Sequence, residues 1–280
     1  MTAKAMKNRD RSTVLITGGS KGIGLELAKQ FALHDHDLVL VARSGAELEQ
    51  AAEQLQAEHG CRVDTFTIDL TASDASGELY RQVIAKGIQV DVLVNNAGMG
   101  DVGPFAESDL GRQLDMLQLN INTLTALSRL FVTGMIERGD GRILNLASLV
   151  AYFAGGPNWA GYVASKHYVL AFTRGLAREL AGTGVYVTAL CPGPTATAFV
   201  GQAGAGAMPI YRWLPKLTPS KVAQIGYRAV RAGRTTVVPG LLNKLLAFLG
   251  ELPPRSIAQG VFGYLSRIPI VTTTDGRKAL

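Results

Sequence analysis

At 280 residues with 47% hydrophobic content, the chain can bury one substantial core, and a single α/β domain over 1–280 is the expectation. Its 32 glycines and 11 prolines are spread along the whole length, which excludes a low-complexity tract and indicates many tight connections between short elements. The net charge of +6 comes partly from Lys4, Lys7, Arg9 and Arg11, read as a flexible, solvated tail over residues 1–11, and no basic stripe interleaved with aromatics follows to suggest a nucleic-acid partner.

Cys61 and Cys191 lie far apart and match no metal-ligand spacing, so both are expected as buried thiols in a reducing compartment, with no disulfide scaffold. His34, His36, His59 and His167 form no metal site or catalytic triad by spacing. The N-terminus lacks the apolar stretch of a secretory signal, and no run of about eighteen apolar residues exists. The expectation is a cytoplasmic protein without an integral membrane segment.

Hydrophobic period marks Thr13–Thr17 as a short strand, then a glycine turn, then a helix through Leu25, Leu27, Ala28 and Phe31. Leu38–Ala42, Val63–Ile68, Val90–Val94, Arg142–Leu146 and Val185–Leu190 repeat the strand pattern, each separated by enough chain for a helix. Such alternation predicts a doubly wound parallel sheet with helices on both faces, a Rossmann-type α/β fold. Its ligand should lie beyond the carboxyl ends of the strands. After Pro192 come a Gly/Ala-rich stretch (201–207), helical patterns over Pro219–Arg231 and from Leu241 onward, and a short strand at Thr235–Val238. Residues 199–280 are read as a substrate-side extension.

Gly18, Ser20, Lys21, Gly22, Ile23 and Gly24 occupy the turn between the first strand and the first helix. Backbone NH groups at such a helix start can face a pyrophosphate, and a side chain there would block either the ligand or the packing of helix on sheet. A tight turn with no ligand would also need glycines.

Thr17-Gly-Gly-Ser-Lys-Gly-Ile-Gly24, Asn95-Asn-Ala-Gly98 and Tyr162-Val-Ala-Ser-Lys166, in this order and spacing, resemble the short-chain dehydrogenase/reductase family, and the likeness extends through Pro192-Gly-Pro-Thr-Ala-Thr197. The resemblance implies a nicotinamide cofactor and hydride transfer between it and a carbonyl or alcohol. Counting about twenty residues beyond the glycine turn reaches Ala42-Arg43 and no carboxylate. Arg43, with Lys21, can pair with a 2′-phosphate, which favours NADP(H) over NAD(H). Arg43 as a plain exposed helix-start residue is the competing reading.

By the same resemblance, Asp69 and Leu70 hold the adenine ring, although Asp69 could instead cap a helix. Asn96, Ala97 and Gly98 lie along the adenosine side, with Asn95 tying neighbouring strands together, and Pro192, Gly193, Thr195 and Thr197 form the loop at the nicotinamide end.

Tyr162 and Lys166 fall one turn apart on a predicted helix, Ala160–Ala181, so both side chains share a face. An ammonium beside a phenol stabilises the phenolate, which predicts a lowered tyrosine pKa. The family implies that Lys166 also holds the nicotinamide ribose, that Ser148 bonds the substrate oxygen, and that an asparagine in the preceding helix supports a water chain. Asn120 fits that last position better than Asn122. The family often carries two adjacent serines where this chain has Ala147-Ser148.

Tyr152, Phe153, Pro157 and Trp159 are expected to line an apolar substrate wall. Leu241–Leu249, Val261, Phe262, Leu265 and Ile268, with Lys244, Arg255 and Arg267 interspersed, form amphipathic patterns that suit a lid, a subunit surface or a peripheral membrane contact. The resemblance implies a homodimer or homotetramer. A non-catalytic NADP(H)-sensing or scaffolding protein of the same fold is the alternative, and a dehydratase or epimerase using transient oxidation a further one; the retained Tyr162 and Lys166 favour catalysis.

Overall fold

Neighbouring side chains of the first strand serve two different cores, and this alternation organises the molecule. In the computed structural model, which describes residues 11–204, 208, 214–252, 263–264, 271–272 and 278–279, Val14 and Ile16 of β1 (Thr13–Thr17) enter one apolar cluster and Leu15 enters another. A strand buried on both faces reads as a continuous aliphatic run, the mark of a parallel sheet covered on both sides.

Seven parallel strands follow the order β3-β2-β1-β4-β5-β6-β7: β2 (Asp37–Ala42), β3 (Val63–Thr67), β4 (Val92–Asn95), β5 (Gly141–Leu146), β6 (Val185–Leu190) and β7 (Thr236–Val237). One face carries α1 (Gly22–Ala32), α2 (Gly45–His59) and α8 (Pro219–Arg231); the other carries α3 (Ala75–Ala85) and α5 (Leu124–Arg138), with α4 (Leu110–Leu117) leading into α5 and α6 (Ala160–Glu179) following β5. Two-residue strands β8 (Val271–Thr272) and β9 (Lys278–Ala279) pair antiparallel outside the main sheet. The expected doubly wound fold is present, with strand boundaries shifted by a residue or two. The predicted strand over Val90–Val94 begins at Val92, and just before it the Asp91 carboxylate accepts from the Thr13 amide at 2.9 Å.

Local signals set the helix ends. Ser44 caps α2 by accepting from the Glu47 amide, and Gly60 closes that helix in the left-handed region at φ 62°. Thr218 caps α8, with Pro219 in its first turn. Between α4 and α5 the chain widens into a π-helical turn, Gln118–Thr123. Arg11 is no solvated tail residue: Nη1 donates to the Gly60 carbonyl at 2.9 Å. Residues 1–10 lie outside those described.

Helix α9 (Leu241–Glu251) reverses the usual amphipathic order. Its small or polar residues Asn243, Ala247 and Gly250 are buried, and a Cβ on Gly250 would stand 2.5 Å from the Tyr152 carbonyl oxygen. Leu241, Leu245 and Phe248 are exposed. Val261, Phe262, Leu265 and Ile268 lie outside the described residues. Among the described residues no helix is long and apolar enough to cross a membrane.

Glycine is structurally required at the turn into β6. Gly184 has φ +83°, and a Cβ there would collide with the Gly139 carbonyl oxygen. Gly184→Ala is expected to destabilise the fold by about 2–4 kcal/mol in urea denaturation. Gly60→Ala, at φ +62° with nothing within 4 Å of the added carbon, should cost only about 1 kcal/mol. Equal losses would show that the steric contact at Gly184 has no weight.

Candidate active site

The carboxyl ends of β1 and β4 are clamped together by side chains that the glycine and asparagine motifs supply. Thr17 Oγ1 accepts from the amides of Asn96 and Ala97, both at 3.0 Å. Asn96 Nδ2 donates to the carbonyls of Thr17 at 2.9 Å and Gly18 at 3.1 Å. Asn95 turns into the sheet, donating to Ser128 Oγ and Asn145 Oδ1, so it ties elements together as expected. Here β2 departs to one side of β1 and β4 lies on the other, the switch point at which open α/β sheets leave a crevice.

A cleft of about 870 Å³ opens at this point. Gly18, Ser20, Lys21, Gly22 and Ile23 line it together with Arg43, Asp69, Leu70, Asn96, Ala97, Gly98, Ser148, Tyr162, Lys166, Pro192, Gly193, Thr195 and Thr197. Gly24 does not. A Cβ there would strike the Gly18 carbonyl and the Asn96 amide, so Gly24 is needed for packing α1 against the turn. Gly22 is the glycine left open: at φ +60°, its missing Cβ would meet only Thr197 Cγ2 on the far wall, at 3.8 Å. That gap, at the start of α1, fits a group passing between the two walls with main-chain NH groups beside it.

Arg43 and Lys21 both reach the end of the cleft beside β2, but they are not equivalent. Lys21 Nζ donates to Glu47 Oε1 at 3.0 Å, and Ser20 Oγ donates to Glu47 Oε2 at 3.2 Å. Lys21 is therefore not the uncommitted cation that the sequence suggested. Glu47, absent from the expected site residues, sits at the third helical position after Ser44, where a Ser-x-x-Glu pattern ordinarily signals a reciprocal cap; its carboxylate crosses to the glycine turn instead. Asp69 does not cap a helix. Its Oδ1 accepts from Thr71 N and Oγ1, and although burial pushes its carboxyl pKa up, those bonds and the Arg43 guanidinium outweigh it and leave it lowered.

At the opposite end, α6 presents Tyr162 and Lys166 to the cleft, and Ser148 stands at the end of β5 as the cap of a 3-10 turn, Leu149–Tyr152. Burial pushes the Tyr162 phenol up to about 12, against a smaller downward pull from the Ser148 side chain. Burial likewise pushes Lys166 down to about 8. Lys166 Nζ donates to the Leu146 carbonyl at 2.8 Å and lies 5.8 Å from the centre of the Tyr162 ring. The expected lowering of the phenol by its neighbouring ammonium is thus not what this arrangement produces. Each group is governed by its own desolvation.

Asn120 lies on the π-helical turn and is buried. It does not line the cleft; its side chain grips Met99, accepting from the amide and donating to the carbonyl, both at 2.9 Å, and donates to Ser165 Oγ. A Cβ on Gly98 would stand 3.1 Å from Asn120 Oδ1 and 3.5 Å from Lys166 Nζ, so Asn120 and Lys166 both border Gly98. Asn122, the other candidate, is exposed and bonds Gln118.

The apolar wall differs from the expected one. Of the four residues anticipated there, Trp159 lines the cleft; the others in the wall are Met99, Leu149, Val150, Phe199 and Val200, with Phe199 contributed by the short helix α7 (Phe199–Gln202). Tyr152 and Phe153 are buried behind it in the same apolar cluster, and Tyr152 stacks under Arg174. The described residues of α9 also stay off the cleft lining; of the described residues over 199–280, those on it are Phe199 and Val200 of α7. Neither position could be read from hydrophobic period, which finds an apolar face but not its neighbour.

A family model described as short chain dehydrogenase matches residues 12–207. The ketoacyl reductase HetN of Nostoc sp. is 32% identical, over 88% of this chain and 86% of its own. Galactitol 2-dehydrogenase (L-tagatose-forming) of Cereibacter sphaeroides is 35% identical over 67% of this chain and 73% of its own. Among solved structures, a short-chain dehydrogenase from Sphingobium yanoikuyae in complex with NADPH superposes with a TM-score of 0.77 at 29% identity, covering 94% of this chain and 99% of that one. The bulky-bulky ketone specific alcohol dehydrogenase from Comamonas testosteroni gives 0.72 at 26%, covering 95% and 98%. The sheet order, the clamped glycine turn and the matching residues together make this chain an oxidoreductase of the short-chain dehydrogenase/reductase family.

Proposed function

We propose that the protein reduces a carbonyl, or oxidises the corresponding secondary alcohol, of a hydrophobic substrate with NADP(H), using Tyr162 as general acid/base. The observation that carries this reading is the joint presence, on one cleft, of Ser148, Tyr162, Lys166 and the open gap at Gly22. A bound nicotinamide supplies the hydride. Gly18, Ser20, Gly22 and Ile23 would hold the pyrophosphate side; Arg43 and Lys21 the 2′-phosphate; Asp69, Leu70, Asn96, Ala97 and Gly98 the adenosine side; Lys166, Pro192, Gly193, Thr195 and Thr197 the nicotinamide end. The NADPH held by the Sphingobium enzyme supports that choice of cofactor.

In reduction, Tyr162 Oη gives its proton to the carbonyl oxygen as that oxygen gains charge, and Ser148 Oγ holds the same oxygen in place. A phenol with its pKa near 12 stays protonated throughout the neutral range, as a proton donor must. Oxidation needs the phenolate, which burial disfavours, so the oxidative direction is expected to gain as the pH rises. Asn120 acts behind them, fixing Met99 and the α4–α5 backbone against Gly98. Met99, Leu149, Val150, Trp159, Phe199 and Val200 exclude water and favour apolar substituents on the substrate. The names of HetN and of the Comamonas enzyme, a ketoacyl reductase and a ketone-specific dehydrogenase, agree with a carbonyl substrate.

Tyr162→Phe is expected to lower NADPH-dependent turnover by at least ~100-fold on a panel of aldehydes, ketones, steroids and acyl thioesters, while NADPH binding, followed by its fluorescence, stays within about threefold. Wild-type turnover in the variant would remove the mechanism. Tight NADPH binding without turnover of any panel member would favour a sensor.

Arg43→Ala should weaken NADPH binding about tenfold and NADH binding less than about twofold. Equal effects on the two would remove the 2′-phosphate reading.

Lys166 links catalysis to stability. Its proton affinity falls from an ordinary value of 10.5 to about 8 on folding, so the unfolded chain holds more protons than the folded one between those limits and stability rises with pH across them. Below pH about 8 the buried ammonium is a full cost. Lys166→Met should therefore abolish turnover yet raise stability at pH 7 by about 1–2 kcal/mol, the gain shrinking as the pH approaches 10.5. Urea denaturation at pH 7 and pH 9.5 measures both, and a loss of stability at pH 7 would contradict the burial argument.

A further inference from the structure

Glu47 is an acidic group at the end of the cleft where an anionic one is expected to bind. It lines the same cleft as Arg43 and Lys21, and both of its carboxylate oxygens are engaged by the glycine turn, Oε1 by Lys21 Nζ at 3.0 Å and Oε2 by Ser20 Oγ at 3.2 Å. The hydrogen bond from Lys21 is the main reason its carboxyl lies below the usual range, so it carries full negative charge at neutral pH. Arg43 faces a different carboxylate, Asp69, whose two bonds go to Thr71. Of the two cations at this rim, Lys21 is the one already spent.

We propose that Glu47 is a specificity-determining residue that weighs against a 2′-phosphate: its carboxylate holds Lys21, and a phosphate on the adenosine ribose must displace it to gain that cation. The inference rests on the reading that the adenosine end binds between Arg43 and the glycine turn. It follows that discrimination for NADPH over NADH is carried mainly by Arg43 and is smaller than two free cations would give. The Lys21–Glu47 pair is about half exposed on both sides, so its grip is modest and salt-sensitive. A 2′-hydroxyl has no charge to lose or gain here, and NADH should be indifferent to Glu47.

Fluorescence titration with NADPH and with NADH tests this in the full chain. Glu47→Gln keeps a good helix former and an amide able to bond Ser20, and is expected to bind NADPH about fivefold more tightly at low ionic strength. NADH should change by less than about twofold, and the NADPH gain should fade by about 500 mM salt. In Lys21→Ala, the same exchange should yield less than about half that gain, because the contested cation is gone. NADPH binding that is unchanged or weaker in Glu47→Gln, or a gain undiminished in Lys21→Ala, overturns the proposal. Failure of the cofactor reading itself looks different: Arg43→Ala would then leave the NADPH and NADH affinities in an unchanged ratio, whatever Glu47 does.

Discussion

The cleft exists because Thr17 and Asn96 join the ends of two adjacent strands. Parallel strands leave their last carbonyl and amide groups without ladder partners, and buried groups of that kind must be satisfied. Here the Thr17 hydroxyl takes the Asn96 and Ala97 amides while the Asn96 side chain covers the Thr17 and Gly18 carbonyls. The two segments are held at a fixed separation. Against this clamp α1 begins, and Gly24 lets it begin close, so the floor of the crevice is rigid backbone on which side chains of α6 and β5 can converge.

The converging groups are costly to keep there. Tyr162 and Lys166 both lie in surroundings that disfavour charge, and the lysine donates to the Leu146 carbonyl. A chain selected for stability alone would place an apolar residue at that position. Keeping an amine under the sheet end instead gives the cleft a group whose protonation lies close to neutrality, the kind of perturbed side chain that clusters at functional sites.

Most of the fold was legible in the sequence because buried parallel strands and glycine turns have strong local signatures. Val14-Leu15-Ile16 can be read as a doubly covered strand without its neighbours, and the Tyr162–Lys166 spacing puts both on one face of any helix. What stayed hidden depends on contacts between segments remote in sequence. Glu47 follows Ser44 as a helix cap would, and nothing nearby shows that Lys21, twenty-six residues earlier, will take its carboxylate. The substrate wall was misassigned for the same reason: Tyr152 and Phe153 have the right composition, but α9 packs over them through Ala247 and Gly250, leaving Phe199 and Leu149 to face the cleft. In α9 itself the apolar stripe was plain, and its outward direction was not, because helical period carries no information about which face meets the sheet.

The π-helical turn at Gln118–Thr123 sets the angular phase of everything that follows it. Each residue of an α-helix advances the side chain by about 100°, so one surplus residue lets Met116 and Gln113 of α4 and Leu127, Phe131 and Met135 of α5 all point inward along what would otherwise be a single continuous helix. Asn120 occupies the widened loop, where its amide can grip Met99 without forfeiting the burial on either flank. A lineage that shortened this turn by one residue would rotate α5 by more than a quarter of a revolution relative to α4. It would have to choose between the core beneath the sheet and the grip of Asn120 on Met99, which ties the length of this stretch to the backbone that borders the cleft.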